Sequence, residues 1–290
     1  MTLPSLASIA VAALVGLLSG THTAIWGMYK DAIHEGFTLR RFARSMTVGA
    51  IAAVAIVVTL ALPMHRAAGL AVLFGLAYAA ERGIVEVWKT FVRVEDQSKY
   101  AIPMQFSLRG VPVASRSVRL AAGAGYVAII AICLWAIARV QHGAPGLPSS
   151  LRTAVAGLVV GSVIAFGGAW KDAPTEGFDA RKFFRSPILT VGFAFLVARM
   201  TDNYLQVAVA AIGYERASAE TYKTFFFPSR PRGKFAGKPI RFPEMVRLRR
   251  YAVPVYVAIW ALMLGVGAMA LRANPTRPGC PADATTKVCL

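Results

Sequence analysis

Residues 3–26, 46–63, 120–138, 151–169 and 251–271 are apolar almost without interruption. A transmembrane helix needs about 20 such residues to cross a hydrocarbon core about 30 Å thick. Blocks of this kind lack the polar stripe that an amphipathic helix shows to water. Residues 67–80 and 187–198 form shorter apolar stretches, and a further one, 200–214, carries Asp202 and Gln206. The pattern predicts an all-α polytopic membrane protein with about eight transmembrane helices. Composition agrees. The chain is 56% hydrophobic and 16% charged, with a mean hydropathy of +0.54, whereas soluble domains carry about 25% charged residues. The first block resembles the core of a signal peptide, but no basic stretch precedes it and it recurs inside the chain, so it is expected to remain a helix of the protein.

That recurrence belongs to a duplication. Residues 30–45 read KDAIHEGFTLRRFARS, and residues 171–186 read KDAPTEGFDARKFFRS, with ten of sixteen positions identical. Residues 81–91 (ERGIVEVWKTF) return as 215–225 (ERASAETYKTF), with six of eleven identical. Tyr126-Val-Ala-Ile returns as Tyr256-Val-Ala-Ile, and the pair Gly16 and Gly20 returns as Gly157 and Gly161. The order is the same throughout, so residues 1–145 and 146–272 read as two four-helix membrane repeats, followed by an external tail at 273–290. The offset between copies falls from 141 to 134 across the sixth and seventh segments, a loss of seven residues. Those two segments must therefore extend into the charged motifs on either side or form a re-entrant hairpin.

Lys and Arg mark the cytoplasmic side of a membrane protein. Segments 30–44, 82–119, 171–185 and 216–250 hold 25 of the 32 basic residues. Both termini are then expected outside or in the periplasm, with the charged motifs cytoplasmic. Four crossings per copy give both copies one orientation, related by a pseudo-two-fold axis along the membrane normal. The net charge of +18 needs no nucleic acid, because basic loops beside anionic lipid account for it. The densest stretch, 229–250, is also a candidate surface for a partner protein. Cys280 and Cys289 lie in the external tail, where an oxidising compartment would favour a disulfide.

Eight of the 14 acidic residues fall at matched positions of the two copies. The first motif supplies Lys30, Asp31, Glu35, Arg40 and Arg44, repeated as Lys171, Asp172, Glu176, Arg181 and Arg185. Asp31 and Glu35 share one helical face, and Gly36 and Gly177 are placed to end that helix. Arg40 and Arg44 are expected on a second, interfacial segment anchored by Phe37 and Phe42. The second motif supplies Glu81, Arg82, Glu86 and Lys89, repeated as Glu215, Arg216, Glu220 and Lys223. Charges so close to hydrocarbon are costly, so they should face the bundle interior and pair there. The four histidines have no metal-ligand spacing, so no metal site is expected, and there is no phosphate loop or nucleophile elbow. Three functions fit: a pseudosymmetric transporter or channel-like protein with an anion-binding cytoplasmic vestibule, a non-catalytic membrane scaffold or assembly subunit, and a membrane-embedded enzyme acting on a phosphate-bearing lipid.

Overall fold

A computed structural model describes residues 4–100, 103–143, 146–227, 235 and 237–273, without the side chains of residues 99, 141–143, 175 and 176. In chain order the elements are α1 (Leu6–Glu35), α2 (Leu39–Leu60), α3 (Ala67–Val87) with a π turn at Trp88–Val92, a small hairpin of β1 (Ser107–Leu108) and β2 (Val111–Pro112), α4 (Arg116–Gly143), α5 (Ser149–Glu176), α6 (Ala180–Val197), α7 (Tyr204–Phe225), the short α8 (Glu244–Leu248) and α9 (Val253–Ala273). The chain is thus nearly all helix. Among the described residues six helical stretches are long and apolar enough to cross a membrane: α1, α2, α3 with its π turn, α4, α5, and the continuous run from α8 into α9.

Helices α6 and α7 fall outside that set for a physical reason. They extend into the charged motifs: α6 opens with Arg181, Lys182 and Arg185, and α7 carries Glu215, Arg216, Glu220 and Lys223. At 18 residues, α6 still rises about 27 Å at 1.5 Å per residue. Helix α7 is also sheathed by α3, α4, α5, α6 and α1, and its Tyr204, Val207, Ala208, Ala210 and Ala211 are fully buried. A helix surrounded by protein needs no lipid-compatible surface.

Small residues set the packing. Helix α1 lies so close to α2 that a Cβ on Gly16 would strike the carbonyl oxygen of Gly49, and one on Gly20 that of Ser45. The α5–α6 contact is similar: a Cβ on Gly157 would lie 2.9 Å from the Val191 Cα, and one on Gly161 would lie 2.6 Å from the Pro187 Cα. This is the close backbone approach that small-xxx-small patterns permit between membrane helices. At the centre α3 crosses α7, and a Cβ on Gly213 would overlap the Gly75 carbonyl. Phe74, Leu73, Ala210 and Ala211 fill the core around that crossing.

Helix α4 packs on the π turn after α3 and on α7 and α5, while α9 packs on α3 and α1. Their outer faces are apolar and exposed, with Ile129, Ile132 and Trp135 on α4 and Val257, Leu262 and Leu264 on α9. Such faces suit a hydrocarbon surround.

The elbow between α1 and α2 differs from the expected interfacial segment. Gly36 takes φ 79° and ends α1, Thr38 accepts from the Arg41 amide, and α2 begins at once at Leu39. Arg40 and Arg44 therefore lie in the first two turns of α2 itself. The α5–α6 elbow is built alike, with Gly177 at φ 78° and Asp179 accepting from the amides of Arg181 and Lys182.

Candidate functional site

The C-terminal ends of α1, α3, α5 and α7 gather at one end of the bundle, and the two charged motifs meet there across the halves. Lys30 Nζ donates to Glu220 Oε2 at 2.8 Å, and Lys171 Nζ donates to Glu86 Oε2 at 3.2 Å. Each glutamate also holds two cations of its own helix. Glu86 pairs with Arg82 and, at 3.8 Å, with Lys89. Glu220 lies 3.5 Å from both Arg216 and Lys223. The helical spacings i, i+4 and i+3 bring those partners onto one face. Burial differs: the Glu220 side chain is 7% exposed and that of Glu86 is 36% exposed.

One turn earlier, Glu81 and Glu215 are completely buried. Glu215 accepts from Ser186 Oγ at 2.8 Å and from Arg216 Nε at 3.1 Å. Glu81 faces Ser45, Arg82, Lys89 and Arg44. The remaining members of the first motif are dispersed. Asp172 pairs with Lys182 at 3.5 Å. Arg40 is exposed on α2, and Arg181 and Arg185 line an open groove on the outer face of α6 with Phe184 and Ile188. Glu176 is the last residue of α5, and its side chain lies outside the described atoms.

Asp31, Glu35 and Arg44 line a cavity of about 100 Å³ between α1, α2, α3 and the connector after the π turn. Its other cations are Arg41, Arg82, Lys89 and Arg93. Arginine and aromatic rings alternate along one wall. Arg44 lies over Trp88 at 5.3 Å, Arg93 over Trp88 at 5.5 Å and over Tyr100 at 5.0 Å, and Arg41 over Tyr100 at 6.0 Å. Cation–π contact of this kind holds each guanidinium in a defined plane. The connector is fixed by Gln97, which accepts from the Met104 and Gln105 amides at 2.9 and 3.1 Å, and by Gln105, which donates to the Arg93 carbonyl at 2.9 Å. Tyr100 donates to the Glu95 carboxylate, and Arg93 pairs with Glu95 at 3.1 Å. Burial, then the hydrogen bond to Glu95, pushes the Tyr100 phenol above its ordinary range.

Sequence reasoning missed Arg41, Arg93 and Tyr100. Arg41 stands at a basic position of the first motif matched by Lys182, whereas Arg93 and Tyr100 bear no repeat signal and the hint to Arg93 was its crowding with Lys89 around Trp88. It also missed a polar aromatic layer deeper in the bundle. Trp26 Nε1 donates to the Tyr78 hydroxyl at 2.8 Å, and His22 Nδ1 lies 3.1 Å from the same oxygen. His22 stacks on Tyr256 at 4.0 Å, and Thr221 bonds both the Tyr256 hydroxyl, at 2.6 Å, and Trp260 Nε1, at 3.1 Å. This layer joins α1, α3, α7 and α9. Trp26 ties it to the charged end, lying 4.6 Å from Lys30 and 5.1 Å from Arg82.

Of the basic stretch 229–250, the described part folds back on α1. The Arg241 and Phe242 amides donate to the Ile33 carbonyl, His34 Nδ1 lies 2.8 Å from the Pro239 carbonyl, and Arg249 donates to the Tyr29 carbonyl at 2.9 Å. Cys280 and Cys289 lie outside the described residues. Among the described residues no group of His, Cys, Asp and Glu side chains is arranged to hold a metal ion. No family model, no curated protein and no solved structure matches this chain.

Proposed function

We propose that this chain is an integral membrane transporter whose two halves, related by a pseudo-two-fold axis along the membrane normal, form an anion-binding vestibule at their charged end. The observation that carries the reading is the reciprocal pairing of Lys30 with Glu220 and of Lys171 with Glu86. These are matched positions of the sequence duplication. Reciprocity of this sort, residue i with j and j with i, is the mark of a two-fold contact. The packing of α4 on α7 and α5, and of α9 on α3 and α1, supports the same axis, which would run through the α3–α7 crossing.

The anion follows from charge balance. Lys30, Arg82, Lys89, Lys171, Arg216 and Lys223 surround four carboxylates, Glu81, Glu86, Glu215 and Glu220. Interior cations in excess of carboxylates mark an ion pathway more often than a lipid-facing surface. The charged end is assigned to the cytoplasm and both termini to the opposite side, on the distribution of basic residues. Anionic lipids would neutralise the exposed arginines of α2 and α6. Maleimide labelling at Ser98→Cys and Lys238→Cys in a cysteine-free chain should report cytoplasmic exposure, and labelling from the outside at both would reverse the topology.

A scaffold is the second reading. The close α3–α7 crossing favours it, because backbone contact at Gly75 and Gly213 leaves no open axial path. Transport would require the halves to rock about that crossing. The enzyme reading, with a divalent ion on Asp31, Glu35, Asp172 and Glu176, draws no support from the described side chains. Proteoliposome uptake of radiolabelled chloride, sulfate and inorganic phosphate separates the first two. Transport predicts saturable uptake of at least one anion, lost in the folded double variant Arg82→Gln, Arg216→Gln. Anion binding without uptake of any of the three would leave the scaffold.

A further inference from the structure

We infer that the cavity between α1, α2 and α3 binds a single phosphate group, held by Arg41, Arg44 and Arg93, and that the second half has no matching site. This deepens the anion-binding reading and rests on it. Pockets for drug-sized ligands run to about 300–1,000 Å³. A cavity of about 100 Å³ therefore admits a group rather than a whole metabolite. Its wall carries five cations, Arg41, Arg44, Arg82, Lys89 and Arg93, against Asp31 and Glu35. Glu86 already engages Arg82 and Lys89. Glu95 engages Arg93 at one nitrogen and Glu81 faces Arg44, so the site rests on the guanidinium edges that these carboxylates leave open.

Arg93 is the centre of the site. Its side chain is 6% exposed, and Glu95 takes only one of its terminal nitrogens. Its Nε and its other terminal nitrogen are buried, and no acceptor among the described residues reaches them. Arg44 Nε is in the same position. A buried guanidinium edge without an acceptor is costly, so a ligand oxygen there gains the full value of a charge-assisted bond. Trp88 and Tyr100 fix the guanidinium planes before any ligand arrives. Three arginine forks need more oxygen atoms than the two of a carboxylate, and a phosphate supplies them.

The second half differs at the deciding positions. The offset of 134 places Phe227 opposite Arg93, and the offset of 141 places Lys182 opposite Arg41. Lys182 already faces Asp172. One site per chain follows.

The phosphate could be free or the headgroup of a lipid, and two arms of one experiment distinguish them. The full chain is purified into nanodiscs of phosphatidylcholine alone. In the first arm, inorganic phosphate is titrated by calorimetry. In the second, phosphatidic acid is added to the nanodiscs and its retention through detergent exchange is read by native mass spectrometry. Binding in either arm should be weakened about 10-fold or more by Arg93→Gln, the loss of one bidentate contact. Arg93→Lys should not restore it, because an ammonium cannot fork. Arg41→Gln, at the cavity rim, gives the same test should Arg93→Gln fail to fold. Arg139→Gln, whose guanidinium lies over Trp135 on α4, should leave binding unchanged. Phosphate binding that survives Arg93→Gln and Arg41→Gln, yet is lost in Arg82→Gln with Arg216→Gln, would overturn this site and keep the vestibule. Absence of binding in both arms would overturn the site as well, and loss of anion uptake alone would not.

Discussion

The two charged ends are built from the same motif residues and yet finish differently. In the second half Glu220 is nearly buried and closes on Lys30, Arg216 and Lys223, while Glu215 closes on Ser186 and Arg216. In the first half Glu86 stays more than one-third exposed, and three further arginines crowd beside it around Trp88 and Tyr100. Helix α3 also ends in a π turn, which brings Arg93 round to the cavity, whereas α7 ends at Phe225. A duplicated set of charges can thus serve as a closed ion-paired joint on one side and leave open guanidinium edges on the other. What separates the two is not the shared motif but the connector packed over it.

The largest effect should come from opening the closed joint. Glu220→Gln strands Lys30 and Lys223 in a nearly buried place and leaves Arg216 on Glu215 alone, and breaking a buried pair in this way costs about 3–5 kcal/mol. Glu86→Gln should cost about half as much, because water already reaches Glu86 and Lys171. Thermal unfolding in detergent checks this, and equal losses would erase the contrast between the halves.

Next comes the small-residue packing. A Cβ at Gly16 lands on backbone oxygen, whereas at Gly157 the nearest atom is 2.9 Å away and the next is the side chain of Ala194 at 3.0 Å. Gly16→Ala should cost about 2–3 kcal/mol and Gly157→Ala about 1 kcal/mol, within the range for overpacking. The reverse order in unfolding midpoints would show that the first half relaxes more easily than its packing implies.

Tyr78→Phe orphans the Trp26 indole N–H and the His22 contact, at a cost of about 1–3 kcal/mol for a buried donor left without its acceptor. The matched position in the second half is Ile212, where Ile212→Val should cost only about 1 kcal/mol. Similar losses at both positions would mean that the aromatic layer adds nothing specific.

The smallest effect concerns pH. Tyr100 has a raised phenol pKa in the folded protein, so its contribution is complete below the unfolded value of about 10 and is lost as pH rises through the folded value. The stability difference between the parent chain and Tyr100→Phe should be flat below about pH 10 and shrink above it. A difference that grows with pH would contradict the Glu95 contact.

How far the sequence was legible depended on what made each element visible. Five of the six helical stretches long enough to cross a membrane announce themselves as full-length apolar blocks, and α3 only as a shorter one at residues 67–80. Helices α6 and α7 do not, because protein covers α7 and charged motifs form the first turns of α6 and the last turns of α7. Gly36 and Gly177 were readable as helix ends, since only such a residue adopts φ near 79° without strain. The start of α2 at Leu39 was less so, because arginine stems can lie along a helix while their heads reach the surface. The glutamates and cations of the second motif stood out through repetition. The arginine ladder did not, because Arg93 and Tyr100 lie in a connector that only tertiary packing brings over α1 and α2. His22 looked idle on spacing alone, and its partners Tyr78 and Tyr256 are distant in the chain.

The central claim is that the halves cross-pair at one membrane face while the first alone offers a phosphate site. A high-resolution map of the full chain in neutral-lipid nanodiscs with saturating inorganic phosphate tests it directly. The account predicts density for one phosphate between Arg41, Arg44 and Arg93, with Lys30–Glu220 and Lys171–Glu86 paired, and no such density beside Arg181 and Arg185. An empty first-half cavity, or phosphate bound only in the second half, would contradict it.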